Sequence, residues 1–412
     1  MDLNRLIEVI GADAALRRRR TLQPAGGKGD KIFPPTYPSD VKNAPPRHVF
    51  ERRRTAAGET WCVLVDSVQS QANRLEECLL EAARAGVQIP HAVVDFSGSG
   101  LAGITAVTSL DAPHRIYDAI LRDSHLAGQP FLDPQCAVGK RLLQASMADA
   151  SALLEVSPNA LLFGAWNSTG QGGGLGAKFA RCLTSEIVAV DVPVEETIDR
   201  RTGEVSVQTA GRRTGSRIDP LGVLRKVRVF KGAQAWDLTK EAAGKEAKEV
   251  KPSEINHGNI APTVQPLGIT CDHLEHTFVL SFAALRRLRF GGSPDKDAAG
   301  RAMLAALALL ALTEQDARGY ALRSRCDLVC DGAASLQLVH ADGSVEERQI
   351  DRASALSLYN SSLSYATESG FKFAGEPLRL TPQPKLVEIV RRSQELALKG
   401  EGEGADSDAA NP

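Results

Sequence analysis

The chain has 412 residues, 43% of them hydrophobic and 24% charged, with a formal net charge of −1. These are the proportions of a globular protein with a large core, and the length leaves room for two or three domains. The longest apolar run, AMLAALALLAL at 302–312, is too short to span a bilayer, and the N-terminus lacks the basic-then-apolar order of a signal peptide.

The seven cysteines are odd in number and scattered, which points to reduced thiols in a cytoplasm. The mean charge conceals an uneven distribution. Residues 401–412, EGEGADSDAANP, carry four carboxylates and no base, and residues 400–412 are expected to be a disordered acidic tail. Residues 200–231 carry nine Arg or Lys against only Glu204 and Asp219. Smaller clusters stand at Arg17–Arg20, Arg52–Arg54 and around Arg286–Arg289. A polyanion feels such a stripe and not the mean, although a solvated face with its acids elsewhere gives the same pattern.

In chain order, residues 21–58 are rich in Pro, Gly, Lys and Arg without a period and read as an extended arm, ordered by Phe33 and Tyr37. TWCVLVDS (60–67) reads as a strand. The helix after it has Val68, Ala72, Leu75, Leu79 and Ala83 on one face, Asp66 or Ser67 as its cap and Gly86 as its stop. HAVVDFSG (91–98) reads as a second strand, so a β-α-β unit is expected, with both strands in one sheet. A helix over about 135–154 and the apolar run ALLFGAW lead to a glycine loop. AKFARCLTSE reads as short helix and IVAVDVPV (187–194) as strand. VLRKVRVF (223–230) alternates basic and apolar residues as a half-exposed strand does. HTFVLSFAALRRLRF (276–290) reads as β-rich, and a helix over about 295–316 and a terminal hairpin in RCDLVCDGAASLQLVHADG complete the pattern. The alternation is imperfect, so an α+β fold with long excursions is expected.

The stretch NSTGQGGGLGAKFARCL (167–183) has five glycines in seven positions, followed by Lys178 and Arg181. Glycine at that density permits positive φ or close approach by another molecule, and amides beside cations suit a phosphate. A Walker loop fails, because Ala177 separates Gly176 from Lys178 and Phe179 stands where the hydroxyl belongs. A dinucleotide fingerprint (Gly172, Gly174, Ala177, with Asp191 beyond) remains open as the NAD site of an oxidoreductase. Cys271, His273 and His276, and Cys326 with Cys330, lack matched partners at zinc spacing, so no metal is expected. No catalytic nucleophile stands out. A metal-independent RNA endonuclease is a weaker alternative.

Four stretches together, KIFPPTYP (31–38), DSVQSQANRLE (66–76), WNSTGQGGGLGAKFARCLTSEIV (166–188) and SEINHGNIAP (253–262), resemble the Cas-seven-type backbone subunit of type I-G (formerly I-U) CRISPR interference complexes, a group of the RAMP superfamily. The resemblance implies an RRM-like (ferredoxin-like) palm in one domain over 1–399, with finger and thumb insertions at about 17–58 and 200–265. It implies a non-enzymatic, cytoplasmic subunit without cofactors. Several copies would polymerise along a CRISPR RNA and display it for pairing with target DNA. Further partners would be the large subunit, the guide-processing subunit and a helicase–nuclease. Glycine-rich loops of the superfamily contact RNA, which maps here onto Gly172, Gly173, Gly174 and Gly176 with Lys178 and Arg181. Gln69, Gln71, Asn73 and Arg74 at a helix start, Asn256, His257 and Asn259, and Lys31 stand in the other matching stretches and are carried over as RNA or neighbour contacts. Guide binding must ignore sequence, which calls for contacts to sugar and phosphate.

Overall fold

The computed structural model describes residues 1–38, 46–55, 58–167, 178–198, 200–201, 205–209, 213–232, 235–265 and 267–398. The glycine loop 170–176 and the acidic tail lie outside them.

Asp2 caps α1 (Leu3–Ala12) by accepting from the Arg5 N–H at 2.8 Å. Strand β1 (Ala15–Pro24), the hairpin β2 (Phe50–Thr55) and β3 (Gly58–Asp66), and α2 (Val68–Arg84) follow. Ser67 caps α2, and the predicted apolar face is buried at Ala72, Leu75 and Leu79. Next come β4 (Ala92–Asp95), β5 (Ala106–Thr108), α3 (Ala119–Arg122), β6 (Ser124–Leu126) and β7 (Gln129–Pro130). Short helices α4 (Ala137–Leu143), α5 (Ser151–Val156) and α6 (Asn159–Phe163) lead to β8 (Ala165–Trp166), β9 (Lys178–Phe179) and β10 (Leu183–Val190). A long excursion holds β11 (Val194–Ile198), β12 (Val205–Thr209), β13 (Arg213–Arg217), β14 (Val229–Lys231), β15 (Trp236–Asp237), α7 (Lys240–Ala243), β16 (Lys248–Val250) and β17 (Ile260–Gln265). The chain then returns through β18 (His273–Ser281), α8 (Phe282–Arg286) and α9 (Pro294–Arg318). Strands β19 (Tyr320–Arg323), β20 (Cys326–Cys330), β21 (Leu336–Val339) and β22 (Val345–Arg348) precede α10 (Arg352–Glu368), β23 (Leu378–Pro382) and α11 (Pro384–Leu398).

A nine-stranded antiparallel sheet runs β19-β20-β1-β18-β10-β3-β2, with β21 and β22 continuing beside β1. Helices α1, α2 and α9 cover one of its faces, and α10 packs outside α9. This explains why α9 is apolar all round: Ala302 to Leu312 are fully buried because partners surround the helix. Gly300 belongs there because any Cβ would stand 2.6 Å from the Phe290 ring. The opposite sheet face is open and polar. Arg19 pairs with Glu275, and Arg53 lies 2.7 Å from Glu51 and 3.2 Å from Glu186.

The covered face carries two apolar clusters with a polar belt between them. Leu22, Ile187, Ala189 and Leu274 lie on one side, and Leu16, Leu183, Phe278 and Leu280 on the other. Between them, Ser185 Oγ stands 2.7 Å from His276 Nε2, and His276 Nδ1 stands 3.2 Å from the Tyr320 hydroxyl. Tyr320 donates to Asp316 at 2.6 Å, and Asp316 receives both arms of the Arg18 guanidinium together with Arg20. On the other flank, Gln71 donates to Asp66 at 2.7 Å, while Arg74 (2.9 Å) and Arg323 (3.2 Å) pair with the same carboxylate. Burial works to raise the Asp316 carboxyl, and Arg18, Tyr320 and Arg20 outweigh it, holding it below the usual range. Burial and the neighbouring arginines push His276 down to about 3, so it is neutral when folded.

Several sequence expectations are corrected here. Strand β4 does not join β3; it enters a separate sheet, β5-β4-β23-β6-β7, pairing in parallel with a strand from the far C-terminus. The helix expected over 135–154 is broken, because Ser146 and Asp149 pair and Asp149 also bridges to Phe290. ALLFGAW is α6 followed by β8, residues 178–186 form β9 and the start of β10 instead of a short helix, and HTFVLSFAALRRLRF is strand only to Ser281, after which α8 begins. The arm 21–58 contributes strand at both ends, in β1 and β2. Of VLRKVRVF, only the last two residues are strand. The hairpin expected in RCDLVCDGAASLQLVHADG does not form between β20 and β21, which pair in succession with β1, and β21 makes its hairpin with β22 instead.

Two outcomes follow from the belt. Asp66→Ala leaves two arginines half-buried without their carboxylate and should cost about 3 kcal/mol in chemical denaturation. An unfolded histidine binds a proton near pH 6.5 and folded His276 does not, so its contribution to stability is lost as pH falls from about 6.5 toward 3. The slope it adds approaches about 1.4 kcal/mol per pH unit, and His276→Gln should flatten the unfolding midpoint between pH 5 and 6.5.

Candidate nucleic-acid interface

The glycine loop leaves and re-enters the described structure through a two-stranded ribbon. Ala165 pairs with Phe179 and Trp166 with Lys178. Gly164, at φ 86°, turns the chain from α6 into this ribbon. Arg115 holds the turn to α2: one arm donates to the Gly164 carbonyl at 3.0 Å, and Nε and Nη2 grip Glu76 at 2.6 and 2.8 Å. Asn159 donates to the same carboxylate at 2.7 Å, so α6 is tied to it as well.

The two cations that follow the glycines have different surroundings. Lys178 is exposed, with its Nζ 5.1 Å from the centroid of Trp166. Arg181 is half-buried and donates to the Phe163 carbonyl at 3.1 Å. Burial, with Arg115 nearby, lowers its pKa from the ordinary value. Arg181 thus braces the ribbon, and Lys178 faces solvent. Trp166 went unnoticed in the sequence, where it read as the end of an apolar run.

At the start of α2, Gln69 and Asn73 are exposed. Gln71 and Arg74 do share a face, as their spacing implied, but that face turns inward to Asp66. Gln71 is 0% exposed, and its Oε1 faces Ser185 and Gln315. Lys31 stands on the arm beside Gly268, where Ile32 bridges to Ile269 and the Arg325 guanidinium lies 4.8 Å over Phe33.

The excursion between β10 and β18 carries the third group. Asp219 fastens two of its loops: Oδ1 accepts from Leu221 N–H at 3.0 Å, and Oδ2 accepts from Gly258 N–H at 2.7 Å and Val223 N–H at 3.1 Å. Those amides hold its carboxyl below the usual carboxylate range. Asn256 adopts the left-handed conformation at φ 62°, His257 meets Trp236 edge-on, and Asn259 accepts from the Asp219 N–H at 2.7 Å. The clamp presents Ile218, Leu221 and Leu224 to solvent beside the exposed Arg225, Lys226 and Lys231, for which no ion pair forms among the described residues. Arg228, also exposed, lies 3.4 Å from Glu249. The excursion leaves one end of β10 and the glycine loop precedes the other, about 23 Å away at the usual rise per residue.

Ser185 and His276 have the spacing of a nucleophile and base, but both are buried and His276 is far too weak a base at neutral pH. The dinucleotide reading does not fit: among the described residues β9 and β10 follow the glycine loop, where that reading requires a helix whose N-terminus receives a pyrophosphate. His273 and His276 stand on opposite faces of β18, and among the described residues no three metal-ligating side chains converge. No helix of the described residues is long and apolar enough to cross a membrane.

Residues 16–194 match the family described as CRISPR-associated protein GSU0053. The resemblance to a CRISPR-associated family read from the sequence is borne out by that match. A search of curated proteins gives no match. Among solved structures, the crystal structure of Csc2 from Thermofilum pendens is similar at 11% identity and a TM-score of 0.28, over 95% of this chain and 80% of that one.

The ribbon's anchor is testable. Glu76→Ala leaves Arg115 buried and unpaired, which should cost about 3 kcal/mol, and trypsin should then cut after Lys178 or Arg181 faster than in the unaltered chain.

Proposed function

We propose that the chain is a non-catalytic, guide-binding backbone subunit of a type I CRISPR interference complex, of the I-G subtype. Copies polymerise along one CRISPR RNA in the cytoplasm and display it for pairing with target DNA, alongside a large subunit, a guide-processing subunit and a helicase–nuclease. The observation that carries this reading is the match of residues 16–194 to a CRISPR-associated family, a span that takes in β1 to β10 and the glycine loop.

The geometry supports the binding mode. The order β20-β1-β18-β10, with α2 and α9 packed on one face, supports the reading of a ferredoxin-like palm, whose β-α-β-β-α-β chain order it follows. Among the described strand residues, the open face of that palm carries one aromatic ring, His273, and no Phe, Tyr or Trp, so it offers little for the row of stacked bases found on many RRM domains. The reading assigns RNA contacts instead to Lys178 at the ribbon and to the cationic excursion, with Lys31, Gln69 and Asn73 as further contacts. Contacts of that kind are to phosphate and sugar, which any guide sequence supplies.

Replacing Arg225, Lys226, Arg228 and Lys231 together with Ala should weaken binding of a mixed-sequence single-stranded RNA to the same degree for every sequence tried. It should also reduce the slope of log affinity against log salt by up to about 3, at roughly 0.7 for each phosphate that is no longer neutralised. An unchanged slope in fluorescence-anisotropy titrations would remove the excursion from the RNA path.

A further inference from the structure

Trp166 has surroundings unlike those of the other two tryptophans. The Trp61 indole N–H donates to Glu196 at 2.8 Å and Arg52 lies over its ring. The Trp236 ring meets His257. Trp166 is 51% exposed, its indole N–H has no acceptor among the described residues, and its one aromatic contact is the ammonium of Lys178. A large ring left in water on a two-residue strand gains little for folding. The strand is nevertheless held firmly, by Arg115 on the Gly164 carbonyl and Arg181 on the Phe163 carbonyl. The result is a solvent-facing indole with a cation beside it, on the anchored two-stranded ribbon that flanks the glycine loop.

From this geometry we infer that Trp166 is a stacking platform for one unpaired base of the bound RNA strand, with Lys178 meeting the phosphate next to that base. The inference rests on the RNA-binding reading above and adds to it an identified contact with a base. Stacking on an indole is indifferent to sequence, because each base has a π-face, so the contact suits a protein that must accept any guide. It does require an unstacked base, and so it separates single strands from duplexes. The ammonium and the indole also divide the work: the charge holds the backbone, and the ring fixes where along the strand one base must leave its neighbours.

The test uses the full chain carrying Trp61→Phe and Trp236→Phe, so that Trp166 is the sole tryptophan, titrated with an unstructured 30-nucleotide RNA and with the same RNA in duplex form. Strong quenching of the indole emission by the single strand, and little by the duplex, is expected. Trp166→Ala in the otherwise unaltered chain should lower affinity for the single strand roughly 10-fold, with Trp166→Phe recovering most of it. Normal RNA binding with unchanged Trp166 emission, equal quenching by the duplex, or full affinity in Trp166→Ala would overturn the stacking role and leave the RNA-binding reading standing. If the unaltered chain binds neither RNA, that reading falls and the platform falls with it.

Discussion

The buried polar belt across the covered face of the sheet is the constraint on which the fold depends. Each carboxylate in it serves several elements: Asp66 joins the end of β3 to α2 and β19, and Asp316 joins α9 to β1 and β19. His276 and Ser185 carry the connection across β18 and β10. A one-residue slip of any of these strands would turn its belt residue to the open face and leave the others buried without partners. Apolar packing above and below the belt supplies the cohesion. The belt contributes by making the alternatives costly, and it sets the register of the strands whose ends carry the arm, the ribbon and the cationic excursion.

That division also explains how a chain with net charge −1 can have basic surfaces. Many arginines are spent internally. Arg18 and Arg20 point in to Asp316, Arg286 donates to the carbonyls of Ile10 and Asp13, and Arg115 and Arg181 brace the ribbon. Arg225, Lys226 and Lys231 of the excursion, and Lys178, face solvent and form no ion pair among the described residues. The open sheet face, by contrast, pairs Arg19 with Glu275 and Arg53 with Glu186.

Much of this was legible in the sequence where the signal is local. The face, cap and stop of α2 and the buried run of α9 follow from spacing alone, because their signals are local. What failed depended on distant chain. Nothing near HAVVDFSG indicates that β4 pairs with residues 378–380, and nothing near Cys326 indicates that β20 and β21 both choose β1. Gln71 and Arg74 look like a solvated helix start until Asp66, Gln315 and Leu322 are brought to them. Trp166 was missed for the opposite reason: an apolar run predicts burial, and only the short ribbon turns its last ring outward.

The claim that most needs a direct measurement is that this chain coats a guide strand in repeated copies. The chain should be purified at moderate salt, treated with RNase and DNase, extracted with phenol, and the surviving nucleic acid sized. The account predicts RNA protected in lengths that rise by regular steps, one step per added copy. Protein free of nucleic acid, or protected RNA of a single length on a monomer, would contradict it.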